Sequence, residues 1–416
     1  MALTAVEKII SNRVGHDVTP GEIVVCPVDL VMAQDGNAPL AIKLLTEELG
    51  GERTFDPDGV VLVIDHCGPS PNDGASNLQK MMRGFARDYG ARLFDIGSGI
   101  SHVVLPEQGL ALPGTLVVGS DSHSVAYGAV NCFGTGMGST DIAVAMLTGK
   151  VWMRVPETYR IVLRGELGSG ATPKDLVLEL IRRVGVDGAT YMCLEFAGDG
   201  LASLSMDARL TVCSMAIEMG AKTALMPADA AVAAYLAERG LPPGEPVEAD
   251  ADARYGKEIE LDLGEVRPMV VLPHDLTRIV PADSVDIPVQ QAFLGTCTNS
   301  RLEDLRAAAR TVEGHSIHPD VRFIVTPGSR QVYLDAMREG LIDILMTAGA
   351  VITPPGCGPC VGTHLGVPAD GETVISTANR NFQGRMGNRL ASIVLGSPET
   401  VAASALRGRV SAKEQL

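Results

Sequence analysis

Short apolar runs of the kind that form buried strands alternate along this chain with segments of helical periodicity. This alternation predicts an α/β fold. The predicted strands are Val60–Asp65, Thr115–Ser120, Tyr159–Leu163, Ala292–Thr296, Arg322–Thr326 and Val374–Thr377. The predicted helices include Lys174–Val184, Arg301–Val312, Gln331–Glu339 and Thr400–Leu406.

Two changes along the sequence divide the chain, whose 416 residues are enough for two or three domains. A new strand begins after Pro156, and the Pro- and acid-rich stretch Pro242–Asp252 leads to a second boundary near Pro288. We therefore predict domains at residues 1–157, 158–285 and 286–416.

The composition indicates a globular protein and excludes some partners. A net charge of −16 argues against nucleic acid as a main partner, because phosphate binding needs a basic surface. No apolar run reaches the roughly 18 residues of a membrane span, and the N-terminus lacks the features of a signal peptide. Eight cysteines without a regular disulfide framework fit a reducing compartment. We expect a cytoplasmic protein that binds neither nucleic acid nor membrane.

Three cysteines lie in turns of small residues instead of on apolar stripes: Cys297 in Gly-Thr-Cys-Thr-Asn-Ser, and the pair Cys357-Gly-Pro-Cys360. Three thiols suit zinc or an iron–sulfur group. Structural sites normally take four protein ligands, so three leave one position open for substrate. The other five cysteines have mostly apolar neighbours and are expected to be small core residues: Cys26, Cys67, Cys132, Cys193 and Cys213.

Polar groups follow two of the predicted strands. Asp65-His66 ends the apolar run Val60–Ile64, and Asp121-Ser122-His123 follows another run. Because ligands bind at the carboxyl ends of strands in α/β sheets, these groups predict a shared cleft. A carboxylate beside an imidazole can fix its tautomer and supply a general acid or base. The alternative is a partly buried histidine with a structural partner.

Two further features carry weaker signals. The segment Asn379–Arg385 places two guanidinium groups in one polar turn, and arginine is the side chain that grips carboxylates with two hydrogen bonds. The alternative is an ordinary surface loop. Glu218 lies on the helical pattern Met215–Met219, where a plain solvated carboxylate is the alternative.

These motifs, with others in the same order along the chain, resemble the aconitase superfamily. Within it, the sequence is most similar to the two-subunit dehydratases of the 3-isopropylmalate type, in the shorter form shared with homoaconitase. The resemblance runs almost end to end. The matching motifs are Asp65-His66, His102 in Ser-His-Val-Val-Leu-Pro-Glu, Gly119–Ser124, Gly138–Asp141, Val155–Thr158, Asp187–Tyr191, Met215–Ala221, Gly295–Glu303, Pro355–Cys360 and Asn379–Gly387.

The resemblance implies three α/β/α sandwich domains around a central cleft, without the swivelling fourth domain of single-chain aconitases. It implies a small-subunit partner that carries this domain and its catalytic serine. It also implies one [4Fe–4S] cluster held by Cys297, Cys357 and Cys360, whose fourth iron binds the substrate. Ser214 departs from the pattern, since the family often has asparagine there.

The resemblance further implies roles for individual residues. It assigns acid–base pairs lining the cleft to Asp65, His66, His102, Asp121, His123 and Glu218. It assigns substrate binding to Gln34, Ser122, Asn379, Arg380 and Arg385, with the arginines on carboxylates and Asn379 beside the cluster.

The implied activity is that of a hydro-lyase moving a hydroxyl between adjacent carbons of a small di- or tricarboxylic acid. Isopropylmalate, in leucine biosynthesis, is the default substrate; homoaconitate, dimethylmalate, citramalate and maleate are alternatives. A different class is a structural zinc protein in which His364 completes a Cys3His set. A third is an RNA-binding regulator, against which the acidic charge and the missing fourth domain argue.

Overall fold

The computed structural model of the chain describes residues 2–416. The N-terminal part contains β1 (Ile23–Pro27), β2 (Leu30–Gln34), β3 (Val60–Val63), β4 (Arg92–Phe94), β5 (Leu116–Gly119), β6 (Phe133–Gly136) and β7 (Lys150–Arg154). Its α-helices are α1 (Ala5–Val14), α2 (Ala38–Lys43), α3 (Asp73–Tyr89), α4 (Ser101–Glu107) and α5 (Ser139–Thr148). The sheet is parallel in the order β4-β3-β2-β5-β6, while β1 and β7 form a separate antiparallel pair.

The middle part forms a second parallel sheet, in the order β10-β9-β8-β11. Its elements are β8 (Thr158–Arg164), β9 (Cys193–Ala197), β10 (Thr223–Leu225), β11 (Lys257–Asp262), α6 (Pro173–Val184), α7 (Met206–Ser214) and α8 (Ala230–Glu238). Helix α6 begins at a capping box, in which Thr172 accepts the Asp175 N–H, with Pro173 in the first turn.

The third sheet has seven strands in the order β13-β12-β18-β17-β14-β15-β16. Its strands are β12 (Met269–Val271), β13 (Ile279–Pro281), β14 (Gln291–Leu294), β15 (Arg322–Val325), β16 (Val351–Ile352), β17 (Thr373–Ser376) and β18 (Ser392–Leu395). Strands β14 to β18 run parallel, and β12 pairs antiparallel with β13 and β18. The helices are α9 (Leu302–Val312), α10 (Arg330–Arg338), α11 (Leu341–Ala348) and α12 (Pro398–Arg407).

One continuous apolar core joins the three sheets, since it includes Met32 of the first sheet, Leu163 of the second and Phe293 of the third. A second apolar cluster lies on the other side of the first sheet. Strand β3 is buried at all four residues, as expected where helices cover both faces of a parallel sheet. The shared core holds the ends of strands from different sheets at defined positions.

The structure confirms the predicted α/β class, and each predicted strand and helix overlaps an observed one with ends that differ by at most two residues. The predicted strands Val60–Asp65 and Ala292–Thr296 end early, because the chain turns to present the polar residues that follow. The domain bounds 1–157, 158–285 and 286–416 stay predictions. Strands β12 and β13 lie within the predicted second domain but pair within the third sheet. Within residues 2–416, no helix combines the length and apolar character needed to cross a membrane.

Candidate active site

The three cysteines singled out in the sequence lie in two turns at the carboxyl edge of the third sheet. Cys297 follows β14, while Cys357 and Cys360 lie between β16 and β17. All three are buried, with exposed fractions of 8%, 6% and 5%. Thr296, directly before Cys297, has a φ of 78°, which is unusual for a β-branched residue and marks a constrained turn. Gly358 sits in the left-handed region at φ 55°, and a Cβ there would lie 2.6 Å from Thr326 Oγ1.

Each of the three thiols has a polar partner of its own. Asn379 Nδ2 and Ser214 Oγ each donate to Cys297 Sγ over 3.6 Å. Arg385 Nη2 donates to Cys360 Sγ over 3.5 Å, and His66 hydrogen-bonds the Cys357 thiol. Ser214 thus reaches the thiol from the position where the family often has asparagine. Donors of this kind stabilise thiolates.

Burial nevertheless opposes ionisation of the thiols. It raises the pKa of Cys297 to about 11, and it raises the pKa of Cys357 well above its ordinary value. A bound metal overcomes such a penalty, because a coordinating thiol loses its proton outright. Three buried soft ligands, each with a donor, fit a thiolate-bound metal group.

The spacing of the thiols bears on whether they could share a single zinc ion. Zinc–sulfur bonds of about 2.3 Å hold two thiolates of a tetrahedral site roughly 3.8 Å apart. In residues 2–416, the one group of His, Cys, Asp or Glu side chains whose ligand atoms all lie within 4.8 Å of one another is Asp65, His66 and Cys357. The three cysteines, with or without His364, do not converge on one ion. The arrangement therefore argues against the Cys3His zinc alternative.

Asp65 and His66 form a close pair just beyond the end of β3. Asp65 Oδ1 lies 2.6 Å from His66 Nδ1, and its Oδ2 accepts the Ser101 N–H over 2.7 Å. Burial lowers the pKa of His66, but the Cys357 thiolate and the Asp65 carboxylate outweigh it and raise the pKa well above its ordinary value. The geometry directs His66 Nε2 towards Asp121 Oδ2, 3.7 Å away.

A second chain of polar side chains crosses from the first sheet to the second. His102 Nε2 lies 2.9 Å from Asp121 Oδ1, which also accepts the His123 N–H over 2.8 Å. His123 Nε2 lies 3.0 Å from Glu218 Oε1. Burial raises the pKa of Asp121, but its hydrogen bonds with His102 and His123 bring it well below the ordinary value. These contacts hold the carboxylates ionised between imidazoles.

The two predicted arginines differ in their surroundings. Arg380 Nε donates to both oxygens of Glu218 over 2.9 and 3.0 Å, and its Nη2 donates to Ser122 Oγ over 3.2 Å. Arg385 lies 5.7 Å from the centre of the Phe382 ring, and its buried Nε has no hydrogen-bond partner among residues 2–416. Arg385 therefore holds an unused donor beside the Cys360 thiol, where a carboxylate would satisfy it.

The structure thus brings the predicted residues together at the junction of the three sheets, with Gln34 at the margin. Gln34 ends β2 and is buried, and its side-chain oxygen accepts the Gly36 N–H. Its backbone N–H donates to Ser120 Oγ over 3.0 Å, directly before Asp121. Across residues 2–416 its side chain makes no hydrogen bond to another predicted site residue.

Sequence reasoning missed two polar contributors. Asp35 accepts the backbone N–H groups of His66 and Cys67, each over 2.9 Å, and so fixes the turn that carries His66. Asp35 could have been found from its position, because it directly follows β2 in the same way that Asp65 lies just beyond the end of β3. Tyr127 Oη lies 3.2 Å from His102 Nδ1 and had no signal, because it sits in an apolar stretch.

Four of the five cysteines outside the site are core residues, as predicted. Cys26, Cys132, Cys193 and Cys213 are fully buried core residues, whereas Cys67 is half-buried beside His66.

Comparison with known proteins agrees with this geometry. The sequence pattern of the Aconitase family (aconitate hydratase) matches residues 7–286 and 278–408. This chain belongs to the aconitase family. The chain is 48% identical to "3-isopropylmalate dehydratase large subunit 1" of Thermotoga maritima over 99% of both chains. It is 45% identical to the protein of the same name from Methanopyrus kandleri, again over 99% of both chains. The large subunit from Aquifex aeolicus is 44% identical over 100% of this chain and 98% of its own. The predicted family and the predicted hydro-lyase class are confirmed.

Proposed function

We propose that this chain is the large subunit of a 3-isopropylmalate dehydratase, a hydro-lyase of leucine biosynthesis that moves a hydroxyl between adjacent carbons of its substrate. The observation that carries the proposal is the meeting of three groups at one site: three buried thiols with their own donors, hydrogen-bonded imidazole–carboxylate pairs, and an arginine with an unused donor. The full-length likeness to relatives of that name supports the choice of substrate.

We propose a [4Fe–4S] cluster as the resident cofactor, held by Cys297, Cys357 and Cys360. When bound, it supplies a Lewis-acidic iron that polarises the substrate hydroxyl. The chain's own contribution is the shape and polarity of the site: Asn379 and Ser214 donate to Cys297, and Arg385 donates to Cys360. The three thiols do not form a group tight enough for one zinc ion, which supports a cluster over a single ion.

We propose His66 as the general acid for the departing hydroxyl. Asp65 holds its Nδ1, so that Nε2 remains for proton transfer. Asp35 fixes the backbone of the same turn through the His66 N–H. The pairs His102–Asp121 and His123–Glu218 lie opposite His66, and Glu218 orients Arg380.

We propose that Arg380 and Arg385 bind the carboxylates of a dicarboxylate substrate. Arg385 presents its unpartnered Nε beside the Cys360 thiol, and Arg380 is held by Glu218 and Ser122 with its guanidinium plane fixed. Two guanidinium groups five residues apart in the same turn fit two carboxylates of one small acid. Phe382, half exposed beside Arg385, offers an apolar surface for a branched alkyl group.

We propose that a small subunit completes the enzyme, since the relatives are named large subunits, and that it carries the swivelling domain with the base that removes the carbon-bound proton. The cytoplasm is the proposed location, because eight unpaired cysteines and a cluster require reducing conditions.

The proposal is tested with anaerobically reconstituted protein. We expect a brown chain with broad absorption near about 400 nm, as thiolate-bound iron–sulfur groups show. The isolated chain should dehydrate 3-isopropylmalate negligibly, and adding a matching small subunit should raise the rate in proportion to complex formation. A colourless protein with one zinc per chain and no sulfide would contradict the cofactor. Full activity of the isolated chain would contradict the two-subunit arrangement.

A further inference from the structure

Lys174 connects the second sheet's first helix to the segment that carries the site residues of the third sheet. It lies in the first turn of α6 and is fully buried. Its Nζ donates to the carbonyl oxygens of Thr377 and Ala378 over 2.9 and 2.8 Å. These are the two residues before Asn379, so one ammonium group fixes the backbone from which Asn379 and Arg380 project.

The charge of Lys174 has no carboxylate partner within hydrogen-bonding distance in residues 2–416. The adjacent Asp175 is used elsewhere: its Oδ1 accepts the Met269 N–H over 2.8 Å, and its Oδ2 accepts from Thr172. A buried ammonium without a counter-charge is costly, and burial lowers the pKa of Lys174 to about 8. After burial, the strongest influence on that pKa is the Cys297 thiolate, followed by Glu218.

The same segment connects Lys174 to the Cys297 thiol through two successive hydrogen bonds. Ala378, whose carbonyl accepts from Lys174, is followed by Asn379, whose Nδ2 donates to Cys297 Sγ over 3.6 Å. The fold thus places a fixed positive charge behind the loop whose amide contacts one cysteine.

We propose that Lys174 is a positioning residue for the cluster: its ammonium fixes the backbone that aims Asn379 at Cys297, and its buried positive charge balances the charge of the cluster-bound thiolates. This inference rests on the cluster assigned above. A purely structural lysine would stabilise the fold through its two hydrogen bonds and leave the electronic properties of the cluster unchanged.

The distinguishing quantity is the midpoint potential of the cluster. Reduction adds a negative charge, which a nearby cation stabilises, so removing the cation lowers the potential. Lys174→Met keeps the length of the side chain and removes both charge and donor. Lys174→Gln removes the charge and keeps an N–H donor. Lys222→Met is the matched control, because Lys222 is a half-buried lysine that faces the Tyr191 ring, 5.5 Å away.

The experiment is a redox titration of the reconstituted full chain, followed by electron paramagnetic resonance, with iron content and circular dichroism of each variant. We expect a lower midpoint potential than wild type in Lys174→Met and Lys174→Gln, a greater loss of iron in Lys174→Met, and wild-type values in Lys222→Met. Unchanged potentials in both Lys174 variants would overturn the inference.

An equal shift in Lys222→Met would also overturn it, because the effect would then not depend on the hydrogen bonds of Lys174 to Thr377 and Ala378. If both Lys174 variants fail to fold without a cluster, the ammonium serves the fold itself and the inference is wrong. A wild-type chain that takes up no cluster overturns the proposed cofactor as well, whereas a loaded wild type with unshifted Lys174 variants overturns only the role of Lys174.

Discussion

Glu218→Gln perturbs the carboxylate that connects His123 to Arg380. Glu218 is 6% exposed and lies 3.0 Å from His123 Nε2, and its two oxygens accept from Arg380 Nε over 2.9 and 3.0 Å. The amide keeps the shape of the carboxylate but replaces one acceptor with a donor. One of the two partners then faces a donor, and the guanidinium loses its counter-charge.

The size of the effect follows from these contacts. A hydrogen bond to a charged group contributes about 1.5–3 kcal/mol, and breaking a buried ion pair costs about 3–5 kcal/mol. Because Arg380 is half-buried, we take about 3 kcal/mol, the lower end of the second range. We assign this cost to the positioning of Arg380 in the transition state, where it corresponds to a decrease of roughly 150-fold in kcat/KM.

The assay is dehydration of 3-isopropylmalate by the complex with the small subunit, with rates expressed per cluster. Asp229→Asn is the control, because Asp229 pairs with the fully buried Arg209 over 2.6 and 2.8 Å outside the cleft. It should lower the melting temperature and leave kcat/KM unchanged. Wild-type kcat/KM in Glu218→Gln with a full cluster, or an equal loss in Asp229→Asn, would refute the reasoning.

Three further predictions concern the same site. Replacing any one of the three cluster cysteines by serine should abolish cluster absorption after reconstitution (Cys297→Ser, Cys357→Ser and Cys360→Ser). The buried core variant Cys132→Ser should retain it, and retention in all four variants would place the cluster elsewhere. Arg385→Lys should lower kcat/KM by roughly 30- to 150-fold, for a loss of about 2–3 kcal/mol, because an ammonium group cannot make the two parallel hydrogen bonds that a planar guanidinium makes to a carboxylate. Wild-type kinetics would mean that Arg385 has only a structural role. Burial raises the pKa of Glu218, but His123 and Arg380 lower it below the ordinary value of 4.5. Its contribution to stability is therefore present above that value and lost as the pH falls through the lower pKa of the folded state. In urea unfolding of the cluster-free chain, the stability difference between wild type and Glu218→Gln should shrink from pH 7 to pH 4, and a constant difference would contradict this.

The local sequence pattern was sufficient to predict the strands and helices and many of the candidate site residues. The runs before Asp65 and Asp121 are apolar because parallel strands are buried on both faces, so their polar ends were visible in the sequence. Cys297, Cys357 and Cys360 stood out because small residues surround them where a core cysteine would have apolar neighbours. The family resemblance then supplied roles that composition and spacing could not.

The partners of these groups were decided only by the tertiary structure. Glu218 and Arg380 are separated by 162 residues, and Lys174 and Thr377 by 203. Lys174 reads in the sequence as one charged residue in the first turn of an amphipathic helix, and Tyr127 as one apolar residue among others. Their functions depend on which side chains the packing of three sheets places opposite them, and on the burial that makes an unpaired charge costly. Neither quantity is a property of a residue's neighbours along the chain, so the sequence determined the groups that the site needs, and the fold determined how they are paired.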